Sequence, residues 1–227
     1  MTRRLGVLGG TFDPVHFGHL DAAEAARSAL ALDEVLFVPS HDPPHRTPHP
    51  GATAFHRFAL LALAVNDRPG YRVSDVEMVR TGRSYTSDTL RGLHAAGWAP
   101  SDVFFILGAD AWAEIATWHE FPAVLDAAHF VVIARPGTST ADAVAHTPDL
   151  RRRVRPVAEQ RESGGPPAIF LVEARTRSIS STAIRERLAA RQPVGDFVPS
   201  AVARHIAANH LYVENTLHGH DQNHQDA

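Results

Sequence analysis

The sequence predicts an α/β protein with a doubly wound, mostly parallel sheet and a C-terminal helical cap. Three observations carry this. Short runs rich in Val, Ile, Leu and Phe recur along the chain, each about as long as a strand buried on both faces. Stretches with helical spacing of apolar residues separate them, and strands alternating with helices imply parallel pairing. After Val172 the strand-like runs stop and only helical patterns follow.

Leu5–Leu8 is the first strand, and Leu20, Ala23, Ala26 and Leu30 then share one face of a helix. Val35–Val38 is the next strand. Ser40 to Gly51 is dense in Pro and His and reads as a loop. A second helix follows, with Phe55, Phe58, Leu61 or Ala62, and Val65 on its inner face. Arg72–Val76 is a weaker strand. Thr86-Ser87-Asp88 opens a third helix, closed by Gly97. Val103–Leu107, Phe130–Ile133 and Ile169–Val172 are further strands. The polar stretch from Thr138 to Pro167 reads as a surface helix and connection, with Arg151-Arg152-Arg153 on a solvated face. Ser181–Arg191 and Pro199–Asn209 are the cap helices, the second turning Val202 and Ile206 inward. Residues 1–213 therefore read as one domain, helical from about 178 onward, and the His-rich tail 214–227 as disordered.

The chain has 227 residues, 44% hydrophobic and 21% charged, which suits a soluble globular domain. A net charge of −3 argues against a broad nucleic-acid footprint. There is no cysteine, hence no disulfide framework or thiolate chemistry. There is no lysine either, which removes a Walker-type phosphate loop. Met1 to Arg4 runs directly into the first strand and no window is long and apolar enough for a membrane span, so a cytoplasmic protein without membrane partners is expected.

The most informative segment is Gly9-Gly10-Thr11-Phe12-Asp13-Pro14-Val15-His16-Phe17-Gly18-His19-Leu20. Two glycines, a hydroxyl and two histidines converge where a strand hands over to a helix. Backbone N–H groups and the positive end of a helix dipole favour anions there, and histidine adds donors that can carry charge near neutral pH. Asp13 is expected to hold the loop by bonding backbone. Each histidine could instead satisfy a cap or the core. A metal pair lacks a third and fourth ligand at suitable spacing, and the G-x-G-x-x-G spacing of a dinucleotide fingerprint is absent. Phosphate chemistry accounts for the whole string best. A second grip is Ile179-Ser180-Ser181-Thr182-Ala183-Ile184-Arg185, with Ser181 as expected N-cap and Arg185 one turn along on the same face. On its own this would be a capping motif with a surface arginine.

G-G-T-F-D-P-V-H-x-G-H resembles the hallmark of the nucleotidylyltransferase superfamily, whose members also carry I-S-S-T-x-I-R. The resemblance implies a Rossmann-like fold and transfer of a nucleoside monophosphate from a triphosphate to a phosphate or phosphonate acceptor. His16 and His19 would be the catalytic residues, stabilising charge as pyrophosphate leaves, and the second motif would grip the β- and γ-phosphates.

Three more segments bear on the acceptor. Ser84-Tyr85-Thr86 opens a helix with N–H groups suited to a small carboxylate. Gly108-Ala109-Asp110 ends a strand and leads to Trp118-His119, where the Trp offers a face to a flat ring. Arg135-Pro136-Gly137 ends the next strand. Each has a plain structural alternative: Trp118 in the core, Ser-Tyr-Thr and Asp110 as caps. As a set, from Arg4 to Tyr212, they resemble bacterial nicotinate mononucleotide adenylyltransferases.

That resemblance implies ATP and nicotinate mononucleotide as partners and Mg²⁺ arriving with the ATP, with no protein-held metal. ATP would meet Gly9, Gly10, Thr11, Phe12, Gly108, Asp110, Arg135, Ile179, Ser180, Ser181, Thr182 and Arg185. The mononucleotide would meet Arg46 of the Pro43-Pro44-His45-Arg46 loop, Tyr85, Thr86, Trp118 and His119. Two departures stand out: His119 replaces a frequent Tyr, and Arg46 replaces a frequent Lys. The alternatives are another superfamily member (using nicotinamide mononucleotide, phosphopantetheine or a sugar phosphate), or a nucleotide-binding module without turnover. A homo-oligomer is left open.

Overall fold

The computed structural model describes residues 3–43, 51–134, 147–161, 165–174 and 176–213. The chain runs β1 (Leu5–Gly10), α1 (Phe17–Leu30), β2 (Glu34–Pro39), α2 (Ala54–Val65), β3 (Tyr71–Val73) and α3 (Thr86–Ala95). It continues through β4 (Val103–Gly108), α4 (Ala109–Ala113), β5 (His129–Ala134), β6 (Val154–Arg155), β7 (Ile169–Glu173), α5 (Ser181–Ala189) and α6 (Ser200–Ala208). Among the described residues the seven strands form one sheet in the order β3-β2-β1-β4-β5-β7-β6, and every pairing is parallel.

Alternate residues of the central strands enter two separate cores. Phe104 and Ile106 of β4, Val131 and Ile133 of β5, and Phe170 and Val172 of β7 face α1 and α2. Val103, Phe105 and Leu107, Phe130 and Val132, and Ile169 face α3 and α4. Both faces are covered, which is why these strands read as unbroken apolar runs. Leu20, Ala23, Ala26 and Leu30 of α1 are buried as their spacing predicts. Ile184, Val202 and Ile206 from the two C-terminal helices join the α1 and α2 side of the core. No described helix is long and apolar enough to cross a membrane.

One expectation needs correction. The inner face of α2 is Arg57, Leu60, Leu61, Ala64 and Val65, while Phe55 stands 79% exposed. This helix is apolar on nearly every side, so spacing could not choose between faces, and a buried arginine is not an apolar signal. The segment from Thr138 to Pro167 reads from sequence as a surface helix plus connection. Residues 138–146 of that segment lie outside the described residues; its described part, the expected connection, holds 3₁₀ turns at Pro148–Arg153 and Val157–Arg161 with the two-residue strand β6 on β7 between them. Within the Arg run, Arg153 pairs with Asp126 at 2.7 Å. A two-residue strand carries no periodicity to detect. The expected tail 214–227 lies outside the described residues.

Candidate active site

The sheet splits at its centre. Pairing of β1 with β2 runs on to Gly10 and Pro39, but pairing of β1 with β4 stops at Leu8 and Ile106. Meanwhile β4 stays paired with β5 as far as Gly108. The order in which successive strands join the sheet reverses between β1 and β4, the switch point where open parallel sheets bind ligands. A cavity of about 570 Å³ fills the gap, a volume suited to a small organic ligand.

Gly9, Gly10, Thr11 and Phe12 form one wall of the cavity, with His16 and His19 above them. Gly108 and Asp110 come from the end of β4, and Ile179, Ser180, Ser181 and Thr182 from the start of α5. Tyr85 and Thr86 line it from the start of α3, and Trp118 and His119 close the far side. Arg46 and Arg135 lie outside the described residues.

The two imidazoles are stacked, with centroids 3.7 Å apart. The backbone N–H of His16 donates to His19 Nδ1 at 3.2 Å. A neutral His19 ring therefore carries its proton on Nε2 and is a donor there. The Phe12 ring meets His19 edge-on at 5.0 Å. Phe12 has φ of 51° and is 2% exposed, so its ring anchors the loop and only its backbone is available to a ligand. Left-handed backbone costs a non-glycine residue about 1–2 kcal/mol, which burial of a phenyl ring offsets. Gly18 is needed for close approach: a Cβ there would lie 3.1 Å from the His16 ring and 3.2 Å from the carbonyl of Arg177. One donor at the start of α1 is already taken, because the Phe17 N–H bonds the Phe197 carbonyl at 2.9 Å.

Polar groups distant in sequence hold the loop from behind. Asp13, 3% exposed, accepts from the N–H groups of Gly51 at 2.7 Å and Ala52 at 3.0 Å, and from the Tyr212 hydroxyl at 2.8 Å. Burial, then the Asp13 charge, pushes the Tyr212 hydroxyl pKa up. Arg57, buried in α2, donates to the Thr11 carbonyl at 2.7 Å and the His41 carbonyl at 3.2 Å. Arg185 does not line the cavity: it donates to the Asp13 carbonyl at 2.7 Å and faces the Asp13 carboxylate at 3.6 Å. Its Nη2 donates to Oγ1 of Thr182, a lining residue, at 3.2 Å. The cap of α5 is Ser180, whose hydroxyl accepts from the Ala183 N–H, whereas Ser181 donates to the Pro14 carbonyl at 2.9 Å. The two motifs are thus bonded directly to each other.

Where the start of α3 meets the Trp118-His119 segment, the His119 ring stacks on Tyr85 at 4.2 Å, and its Nδ1 lies 3.2 Å from Ser87 Oγ. One face of Tyr85 is therefore covered. Trp118 is half-buried and edge-on to Phe105 at 5.9 Å; the fully buried tryptophan is Trp112. Glu77, absent from the sequence reading, lines the cavity at 7% exposure and accepts from Thr89 Oγ1 at 2.5 Å. Burial pushes its carboxyl pKa up, against opposing effects of Thr89, Ser84 and Arg80. Its neutral form is thus favoured on folding, and stability from this group falls as pH rises through the folded-state pKa. Glu77→Gln does not titrate. Its melting temperature relative to the parent protein rises between about pH 4.5 and pH 7.5; an unchanged difference across that range would refute the burial effect.

Residues 7–187 match the cytidylyltransferase-like family model. The chain is similar to a probable nicotinate-nucleotide adenylyltransferase of Desulfitobacterium hafniense, 38% identical over 210 residues, covering 92% of this chain and 96% of that one. A protein of the same description from Citrifermentans bemidjiense is 39% identical over 215 residues, covering 93% and 99%. The backbone is similar to that of Plasmodium falciparum nicotinic acid mononucleotide adenylyltransferase complexed with NaAD, with a TM-score of 0.69 at 17% identity over 92% of this chain and 97% of that one. At that identity the likeness is one of fold.

Proposed function

The chain belongs to the cytidylyltransferase-like family and, within it, to the nicotinate-nucleotide adenylyltransferases, and on that premise we propose that it transfers AMP from ATP to nicotinate mononucleotide, giving nicotinate adenine dinucleotide and pyrophosphate in NAD biosynthesis. The observation that carries this reading is the convergence of three parts on one cavity: the stacked His16 and His19, the Ser180–Thr182 segment, and the Tyr85–Thr86 and Trp118 pocket.

A 5′-phosphate oxygen of the mononucleotide attacks the α-phosphorus in line. The bond from that phosphorus to the α,β-bridging oxygen breaks, and its electron pair leaves with pyrophosphate. Such a transfer asks the protein for alignment and charge stabilisation, not for a nucleophile. His19, through Nε2–H, and His16 stabilise the charge that grows on the triphosphate. Thr11 and the Ser180–Thr182 segment hold its phosphates, while Gly108 and Asp110 meet the nucleoside. Mg²⁺ enters as part of the nucleotide substrate, held mostly by phosphate oxygens and water. The N–H groups at the start of α3 take the nicotinate carboxylate, and Trp118 borders the ring. Arg46 and Arg135 keep the roles that the family resemblance implies. Arg185 acts on the loop that cradles the triphosphate.

The test is a pair of initial-rate assays with ATP and Mg²⁺, reading pyrophosphate release. Nicotinate mononucleotide is turned over faster than nicotinamide mononucleotide, because only the acid places a charge at those N–H groups. Equal rates overturn the acceptor assignment, and no release with either overturns the reaction.

A further inference from the structure

We propose that Arg177 is a binding residue for the leaving pyrophosphate portion of the triphosphate; this rests on the nucleotidyl transfer proposed above. Among the described residues lining the cavity, Arg177 is the only arginine, beside the carboxylates of Asp13, Glu77, Asp110 and Glu114. A cavity meant for polyanions needs permanent positive charge; Arg57 and Arg185 do not line it and direct N–H groups to the carbonyls of Thr11 and Asp13.

The guanidinium is fixed in place. Nε donates to Asp21 Oδ2 at 3.1 Å, Nη2 to Asp21 Oδ1 at 3.2 Å, and the backbone N–H to Asp21 Oδ2 at 3.1 Å. It lies over the Phe17 ring at 4.1 Å. Nη1 has no partner among the described residues, so its two N–H groups remain for a ligand. The placement is apt. The Arg177 carbonyl packs against Gly18, between the two histidines, and accepts from the Ile179 N–H at 2.9 Å just before the Ser180 cap. A pre-set fork loses little side-chain freedom on binding phosphate, and arginine–phosphate bonds are among the stronger hydrogen bonds.

The competing role is a strut that ties α5 to α1 through the Asp21 pair. Calorimetry with inorganic pyrophosphate and with MgATP separates the two, run beside the adenylyl-transfer assay and thermal melts. Arg177→Gln weakens both ligands about tenfold or more and leaves the KM for nicotinate mononucleotide within about twofold. Asp21→Asn keeps the cation, removes its neutralising carboxylate, and binds pyrophosphate at least as tightly as the parent protein. Arg177→Lys recovers part of the loss, since charge remains without the fork. Unchanged pyrophosphate affinity in Arg177→Gln, or equal losses in Arg177→Gln and Asp21→Asn, overturns the proposal. If the parent protein binds pyrophosphate but transfers no AMP to nicotinate mononucleotide, the acceptor reading fails and the Arg177 comparison still decides the phosphate contact. If the parent protein binds neither ligand, both fail.

Discussion

His19→Ala lowers kcat about 10²–10³-fold, the range for losing one pre-aimed donor to a developing charge. The ring is held in one orientation by contacts on three sides. The His16 N–H occupies Nδ1 at 3.2 Å, the His16 ring stacks on one face at 3.7 Å, and the Phe12 edge bears on it at 5.0 Å. The donor therefore costs no reorganisation when the α-phosphorus is attacked, and little of its benefit exists before then. KM values for ATP and the mononucleotide change much less than kcat, as expected for an interaction made mainly in the transition state. The substitution also removes the acceptor for the His16 N–H, a cap-like loss of about 1 kcal/mol that leaves the fold intact. Steady-state kinetics with a thermal melt separate the two effects. A kcat within about fivefold of the parent value would remove His19 from the chemistry.

Asp13→Ala destabilises the protein by about 3–5 kcal/mol, the cost of removing one side of a buried, charge-paired network. The carboxylate gathers two backbone donors, the Tyr212 hydroxyl and the Arg185 guanidinium at 3% exposure. Without it the buried Ala52 N–H and the Tyr212 hydroxyl lose their acceptor, Arg185 keeps only the Asp13 carbonyl of the pair it held, and the loop carrying His16 loses its tie to the turn before α2. Tyr212→Phe removes a single bond of that network and costs about 1 kcal/mol. Urea unfolding of the two variants gives the comparison. If Asp13→Ala loses no more than Tyr212→Phe, the carboxylate is an incidental neighbour and not the keystone of the loop.

Much of this site was legible because its chemistry is local. The glycines, hydroxyls and histidines that must stand at a strand-to-helix junction sit together in the chain, and so do Ser180, Ser181 and Thr182. The central strands were legible for a related reason: two buried faces leave no polar alternation. The inner face of α2 was hidden by its apolar composition, and β6 by its length. Glu77 gave no signal, since a single acidic residue in a polar stretch looks solvated. Arg177 was hidden in the same way, flanked by residues that read as a loop.

What the sequence alone determined was the alternation that builds a parallel sheet and the two Gly-, Ser-, Thr- and His-bearing segments that line the cavity at its carboxyl edge. Only the tertiary structure decided how each charged group is used. Arg185 turned out to clasp the Asp13 carbonyl and Arg57 the Thr11 carbonyl, while Arg177 faces the cavity. Residue type and spacing set what a side chain is able to bond, but its partner is whichever group folding brings within about 3 Å. For these three arginines that partner comes from a distant part of the chain.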